Sequence, residues 1–291
     1  MKIRETNDMK ILTSSEIAAW KSCPMKWYFR YHEELVPNTT PLPLSYGRMV
    51  HEKLESFYAK KPIVSSNEIL DPYTVEEVNA LVRAYLKHEP FAEMGHVIIR
   101  AEEEFRVPLR SPSGRKYNRI MLSGKIDLET LDQYLSPWIA DHKTSAMKLN
   151  RDWLTLSDQM GFYLWAKWQM GDKPVGIIYN LLRKPVKKPH QGETSEEWGK
   201  RLEEDIATRP EFYFQREAIV KGPKDLMEIE HNLWDLAHTV GKGPIIRNPG
   251  HCQFFGCPYR EICVADTKIG RNAGYRHERA HVELSEEVVE C

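Results

Sequence analysis

No apolar run in this sequence reaches the roughly 20 residues that a helix needs to cross a bilayer, and the opening MKIRETNDMK lacks the apolar core of a secretory signal. The expectation is a cytoplasmic protein with no membrane partner. Nor is there a surplus of charge of either sign. Lys and Arg number 41 against 42 Asp and Glu, for a net charge of -1, so any nucleic-acid contact has to come from a local basic patch. The phosphate-loop pattern G-x4-G-K-[ST] is absent, which excludes a nucleotide-driven motor of that type. No internal repeat and no low-complexity block occurs. Cysteine is scarce and odd in number, at 5. Three of the five cluster near the C-terminus, and in a reducing compartment such a cluster favours a metal over disulfides. With 291 residues, 41% of them hydrophobic, the chain is long enough to bury a large core as one elaborated domain or two small ones.

What is there centres on RIMLSGKIDLETLDQYLSPWIADHKTS, from Arg119 to Ser145, which holds two short alternating runs. Ile120, Leu122, Ile126 and Leu128 are expected on one face of the first strand, with Lys125, Asp127 and Glu129 on the other. In the second, Ile139, Asp141 and Lys143 share a face and Trp138, Ala140 and His142 take the opposite one. If the two strands are adjacent, Asp127, Asp141 and Lys143 form a hard-oxygen site with an ammonium beside it. Carboxylates suit Mg²⁺ or Mn²⁺. An ion so held stabilises charge on phosphoryl oxygens and activates water, while the lysine steadies the developing charge. The alternative is a half-exposed hairpin with an ordinary charged face.

The remaining segments read as helices and strands around this stretch. Thr13 and Glu16 have capping-box spacing ahead of an amphipathic helix that Pro24 should break or restart. Residues 37–45 read as a proline-rich connector, and YGRMVHEKLESFY as a helix with Val50, Leu54, Phe57 and Tyr58 on its apolar face. His51 borders that face, as a core histidine or as a ligand approaching from a flanking helix. A second helix is expected over residues 74–88, with Thr74 and Glu77 at capping-box spacing. HVIIRAEEEFRVPL should be extended, with Glu103 or Glu104 near the edge of the carboxylate site. LNRDWLTLSDQMGFYLWAKWQMG reads as one helix with Leu156, Met160, Leu164 and Trp168 on its apolar side. On it Gln159 and Tyr163, four residues apart, form a polar pair able to position a phosphate. PVGIIYNLLRKP is a buried strand, and RKPVKKPH after it is the densest positive stretch, facing nucleic acid or merely solvent. Further segments are a helix over residues 195–206 capped by Thr194 and Glu197, a strand carrying Arg216, and a helix over residues 224–240 that buries Leu226, Ile229, Leu233 and Leu236. The tail from Lys268 to Cys291 is polar and expected to add little to the core.

Cys252-x4-Cys257-x5-Cys263 supplies three thiolates within twelve residues, and Cys23 is the remaining cysteine inside a structured segment. Four thiolates can hold a [4Fe-4S] cluster or a structural zinc, and spacing does not separate the two.

In combination these segments resemble a known family. SSEIAAWKSCPMKWYFRY resembles the N-terminal cysteine helix of RecB-type PD-(D/E)XK nucleases, YGRMVHEKL their glycine-histidine helix, and GKID their first metal-binding strand. ADHKT resembles their D-x-K strand and QMGFY their Q-x3-Y motif. The last three cysteines are similar to the iron-sulfur motif of AddB-like and CRISPR-adaptation nucleases, although many of those have two residues between the first pair rather than four. The motifs occur in the family's order from Ser14 to Cys263.

The resemblance implies an α/β restriction-endonuclease-like fold, a mixed central sheet flanked by helices, with helical insertions and an iron-sulfur cluster region. The expected organisation is an N-terminal cysteine helix and connector over residues 1–45, a helical region with the histidine motif over 46–96, the nuclease core over 97–222, the C-terminal helix and cysteine cluster over 223–267, and a polar tail over 268–291. By the same resemblance His51, Asp127, Asp141 and the backbone carbonyl of His142 are metal ligands, Lys143 is the catalytic lysine, and Gln159 and Tyr163 position substrate. Cys23, Cys252, Cys257 and Cys263 would hold the cluster. The implied activity is a Mg²⁺- or Mn²⁺-dependent DNA exonuclease, of the phage recombination or CRISPR-adaptation type. Its DNA would be single-stranded or have free ends, with a homo-oligomer or a recombination, helicase or CRISPR-adaptation partner. The rival expectation is a catalytically weak DNA-binding or scaffolding subunit holding zinc.

Overall fold

The computed structural model describes residues 9–62, 70–88, 90–265, 271, 273–281 and 284. The opening residues 1–8, and much of the polar tail including Cys291, lie outside the described residues. Strand β1 (Lys10–Leu12) leads to Thr13, whose side chain accepts the Glu16 amide and starts α1 (Ser14–Ser22). Only this half of the expected capping box forms, because the Glu16 carboxylate is taken by Trp27 Nε1 at 2.9 Å and by His281 at 3.0 Å. Cys23 is extended, and Pro24 restarts the chain as α2 (Pro24–Trp27), which runs into a π-helical turn over Tyr28–His32. Tyr28 and Phe29 are buried there, so this aromatic segment packs into the core.

After β2 (Leu35–Pro37) the expected connector is shorter than the sequence pattern indicates, because α3 (Leu42–Ala59) begins within it. Pro41 and Pro43 flank its first residue, where a missing amide costs no helical hydrogen bond. Phe57, expected on the apolar face, is 54% exposed. Helix α4 (Pro72–Lys87) is capped by Asp71, not Thr74, since the Asp71 carboxylate accepts from the Tyr73 and Thr74 amides. A short α5 (Pro90–Glu93) precedes three long strands, β3 (Val97–Arg110), β4 (Lys116–Leu131) and β5 (Pro137–Ser145).

The single helix expected after β5 is two, α6 (Arg151–Thr155) and α7 (Asp158–Met170). Asn150 caps the first, and the chain breaks at Leu156, which stands out at 83% exposed rather than on the apolar side. Then follow β6 (Gly176–Arg183), α8 (Ser195–Thr208) with both halves of the Thr194–Glu197 capping box, α9 (Pro210–Tyr213), β7 (Phe214–Val220) and α10 (Pro223–Thr239). Two short helices, α11 (Pro249–Phe255) and α12 (Arg260–Val264), and strand β8 (Tyr275–His277) complete the order.

Six strands form one mixed sheet. β3–β4, β4–β5 and β6–β7 are antiparallel, while β1–β4 and β5–β6 are parallel. β3 occupies one edge of β4 along most of its length. The other edge is shared: β1 pairs with Ile120–Leu122, and β5 pairs only from Leu128 onward. Residues 123–127 thus lie in a fork between two partners. One face of the sheet packs on α1, α7 and α10 through Ile17, Met160, Phe162, Trp165 and Leu233. The other packs on α3, α4 and α8 through Val50, Leu54, Leu81, Tyr85 and Trp198.

The fork corrects the simple alternation expected of β4. Ile126 packs with the α7 side, whereas Leu128 joins Phe91, Ala140 and Ile178 on the opposite side. Lys125 pairs with Glu55 of α3, yet Glu129 pairs with Lys167 of α7. The neighbouring strand explains the switch. Glu102 has φ 56, a left-handed conformation that interrupts the pleat and lets the strand turn over.

The described part of the tail also departs from expectation. β8 pairs with β2, Tyr275 is buried against Tyr259, and His281 reaches Glu16. Apolar and aromatic groups carried by a polar segment suffice to dock it. Among the described residues, no helix is long and apolar enough to cross a membrane.

Candidate active site

Asp127 sits in the fork at the point where β4 leaves β5. In place of a ladder bond, its Oδ2 accepts the His142 backbone amide at 2.7 Å. From α3, His51 brings Nδ1 to 3.6 Å from the same oxygen. This approach requires α3 to lie close to the sheet, and Gly47 permits it: a Cβ there would stand 3.2 Å from Thr144 Oγ1. Asp141 and Lys143 project from β5 toward α7. The Lys143 ammonium donates to Asp141 Oδ1 at 2.9 Å and lies at the same distance from Oδ2, which is buried without a hydrogen bond. From α7, Gln159 Nε2 donates to the Tyr163 hydroxyl at 3.0 Å. Tyr163 in turn packs over Gly124, where a Cβ would come within 3.2 Å of its ring. His51, Asp127, Asp141, Lys143, Gln159 and Tyr163 are therefore brought to one place from four elements.

His142 is placed differently from its neighbours. Its ring lies on the opposite face of β5, stacked on Tyr58 and bordered by Tyr85 and Phe91. Burial drives its pKa down to about 4, so the ring is neutral. Nδ1 faces Asn180 Nδ2 at 2.8 Å, and the same amide donates to the Tyr85 hydroxyl. Only the backbone of His142 belongs to the site.

The electrostatics are those of two buried acids sharing nearby cations. Burial works against the charge of Asp127, but the charges of His51 and Lys143 and the bond from the His142 amide outweigh it and hold that carboxyl below its usual value. Asp141 is raised, by burial first and by Asp127 as well, against the pull of Lys143. Lys143 is raised despite its burial because both carboxylates, Asp141 first, favour the ammonium. Burial and the Asp141 charge push Tyr163 up to about 12, leaving it a protonated donor.

Three further groups adjoin Asp127. Lys125 Nζ lies 3.2 Å from Glu55 and 2.7 Å from Glu102. Burial and the charge of Asp127 raise Glu102 to about 7. Glu103, expected at the edge of the site, is instead 3.3 Å from Lys167. Glu55 was detectable, since it follows His51 by one helical turn. Glu102 was not, because the left-handed backbone at that residue changes which side of β3 faces the site.

The donor types suit a divalent cation: two carboxylates, one with an unsatisfied buried oxygen, and an imidazole. Among the described residues, no group of three or more His, Cys, Asp or Glu side chains is arranged as a formed metal cage. The positive charge beside the two acids is that of Lys143.

Four cysteines gather where α1 and α2 meet the C-terminal helices. Cys23, buried between α1 and α2, accepts the Asn248 amide at 3.3 Å, and Asn248 also ties its side chain to the Ser22 carbonyl. Cys252, Cys257 and Cys263 are half-buried and, like Cys23, free of disulfides. Burial raises Cys257 and Cys263, and Cys252 and Cys23 raise both further, so the four thiols share one neighbourhood.

Part of the basic stretch after β6 is held by contacts within the protein. Lys187 pairs with Asp205 at 2.6 Å, Lys184 lies over the Tyr46 ring, and Arg183 lies over Phe212.

Among curated proteins, none matches this sequence. A solved structure titled "Crystal structure of SSO0001" is similar over 91% of this chain and 90% of its own, with 13% identity and a TM-score of 0.39. The model of the PD-(D/E)XK nuclease superfamily matches residues 11–264. Such a match extends from β1 to the last described cysteine helix, and with it the chain belongs to the PD-(D/E)XK nuclease superfamily and is an enzyme of nuclease type.

Proposed function

We propose that this protein is a Mg²⁺- or Mn²⁺-dependent DNA exonuclease acting on single-stranded DNA or DNA ends, in recombination, repair or end processing. The observation that carries the reading is the convergence of His51, Asp127, Asp141 and Lys143 where β4 and β5 part. His51, Asp127, Asp141 and the His142 carbonyl would hold the ion. Once bound, it supplies charge neutralisation at the phosphoryl oxygens and a more acidic water.

The chain's own residues do the rest. The bond from the His142 amide fixes one oxygen of Asp127, so its other oxygen is presented in one direction. Lys143, held as an ammonium, provides a fixed positive charge to the phosphoryl group as charge builds on it. Gln159 and Tyr163 hydrogen-bond each other and offer their remaining polar capacity to the substrate phosphate. Hydrolysis adds the water oxygen to phosphorus, breaks the ester bond and returns a proton to the departing oxygen.

In the same reading Cys23, Cys252, Cys257 and Cys263 hold a structural [4Fe-4S] cluster that fastens the C-terminal segment to α1. The donor set and the shared neighbourhood of the four thiols support this assignment. The test of the activity is digestion of linear DNA labelled separately at each end, with intact circles as control. Release of label from one end, with circles spared, is the expected result. Binding without degradation in added metal would favour a scaffolding subunit instead.

A further inference from the structure

The segment between Lys143 and Gln159 carries three large apolar side chains in solvent: Met147 is 74% exposed, Trp153 76% and Leu156 83%. Trp153 on α6 and Leu156, the residue that ends it, are three apart, and both stand in solvent. None of the aromatic contacts among the described residues involves Trp153. Tryptophan is enriched at binding surfaces, where its ring presents an apolar body and a polar N–H together.

The segment is not a loose loop. Asn150 caps α6, the Leu149 amide donates to Gln215 Oε1 at 3.0 Å, Arg151 pairs with Glu217 at 2.9 Å, and Lys221 Nζ donates to the Thr155 carbonyl. Leu154 on the inner side is buried. The outward position of Trp153 is thereby built in.

Register across the sheet locates it. Lys143 lies opposite Leu181 and Leu181 opposite Gln215, while Asp141 lies opposite Tyr179 and Tyr179 opposite Glu217. Side chains in such a row share a face. The two residues that pin the segment, Gln215 and Glu217, therefore lie on the face that carries Asp141 and Lys143. They are two strand spacings away, or about 10 Å.

The surroundings favour an anionic occupant. Lys148, Arg151, Arg183 and Lys221 lie in or against the segment, and the acids there are Asp152, Asp158 and Glu217, of which Glu217 is paired with Arg151 and Asp158 with Lys21. A flat exposed indole on a positively charged approach to a phosphodiester-cleaving site fits the unpaired bases of a nucleic-acid strand. We infer that Trp153, with Leu156 beside it, is a stacking platform for bases of single-stranded DNA within a few nucleotides of the bond to be cut. This inference rests on the proposed nuclease reading, and it adds how the strand is held.

The test is binding of a single-stranded oligothymidylate, and of a strand of equal length without bases, to the full chain in chelator. Trp153→Ala is expected to weaken binding of the base-bearing strand by roughly 5- to 150-fold. Trp153→Phe should restore most of that loss, and the abasic strand should bind wild type and Trp153→Ala alike. Because the side chain is exposed, the melting temperature should not move. Equal binding of oligothymidylate by wild type and Trp153→Ala would overturn the platform, as would an equal loss for the abasic strand. A wild type that elutes as a dimer, with Trp153→Ala monomeric, would assign the indole to a second copy of the chain and likewise overturn it. Failure of the platform alone leaves wild-type DNA cleavage in added metal intact, whereas failure of the nuclease reading abolishes it.

Discussion

The Asp127 carboxylate and the His142 amide, fifteen residues apart in the chain, are joined by a 2.7 Å hydrogen bond at the point where β4 and β5 separate. One contact thus fixes an acid and closes the opened ladder. It makes the charge and the hydrogen bond of Asp127 separable by mutation. Asp127→Asn keeps an acceptor for the amide and should unfold near the wild-type denaturant midpoint. Asp127→Ala leaves a buried donor unsatisfied and should lose about 1–3 kcal/mol. Both should lose cleavage by at least about 10²-fold. Equal stability of the two variants would show that the amide bond is not needed to hold the fork.

The distance between α3 and β5 is set by Gly47 against Thr144. Gly47→Ala crowds Thr144 and should shift the helix on the strand, while a gain in helix propensity of about 0.5–1 kcal/mol offsets the crowding, so the denaturant midpoint should stay near that of wild type. His51 moves with the helix, so cleavage should fall more than stability does. The double variant Gly47→Ala, Thr144→Ala relieves the contact and should recover activity in a double-mutant cycle. Additive losses in that cycle would place the effect elsewhere.

Asp205 gathers Lys187, Arg209 and the Tyr213 hydroxyl around a side chain that is 8% exposed. Burial opposes its charge, but the bonds from Arg209, Lys187 and Tyr213 prevail and hold the carboxyl well below its usual value. A depressed folded-state pKa contributes stability that is present above the unfolded value, about 3.9, and is lost as pH falls below it. Asp205→Asn should therefore cost on the order of 2 kcal/mol at neutral pH. The gap between variant and wild type should narrow in acid unfolding curves below about pH 4. A gap independent of pH would remove the electrostatic explanation.

At the cysteine end, Cys23→Ser should lower bound iron and the melting temperature together, since a cofactor spanning Cys23 and the C-terminal thiols closes a long loop. Iron and sulfide analysis of anaerobically purified protein, with melting curves, reads both effects. Stoichiometric zinc in colourless protein would replace the iron-sulfur assignment. Unchanged metal content in Cys23→Ser would remove that cysteine from the ligand set.

Local patterns in the sequence carried much of the architecture. The alternation around Ile139, Asp141 and Lys143 matches the face of β5 that meets α7, because that strand is regular. Pro24 marks a real helix restart, and Thr194 with Glu197 forms a complete capping box, because caps depend on neighbours within a few residues. In two places where a pattern failed, a long-range contact had intervened. Glu16 left its capping box for Trp27 and His281, and the Tyr275 strand docked on β2 despite its polar setting.

By itself, then, the sequence determined which residues could carry the chemistry and most of the helices and strands that bear them, since periodicity and capping are local properties. Only the tertiary structure decided which acids stand beside Asp127. A left-handed backbone at Glu102 and the fork between β1 and β5 turn the strands over, and neither leaves a mark in residue spacing. It likewise decided that His142 turns its ring away from Asp141 and that Trp153 stands in solvent, because both depend on how separate elements pack.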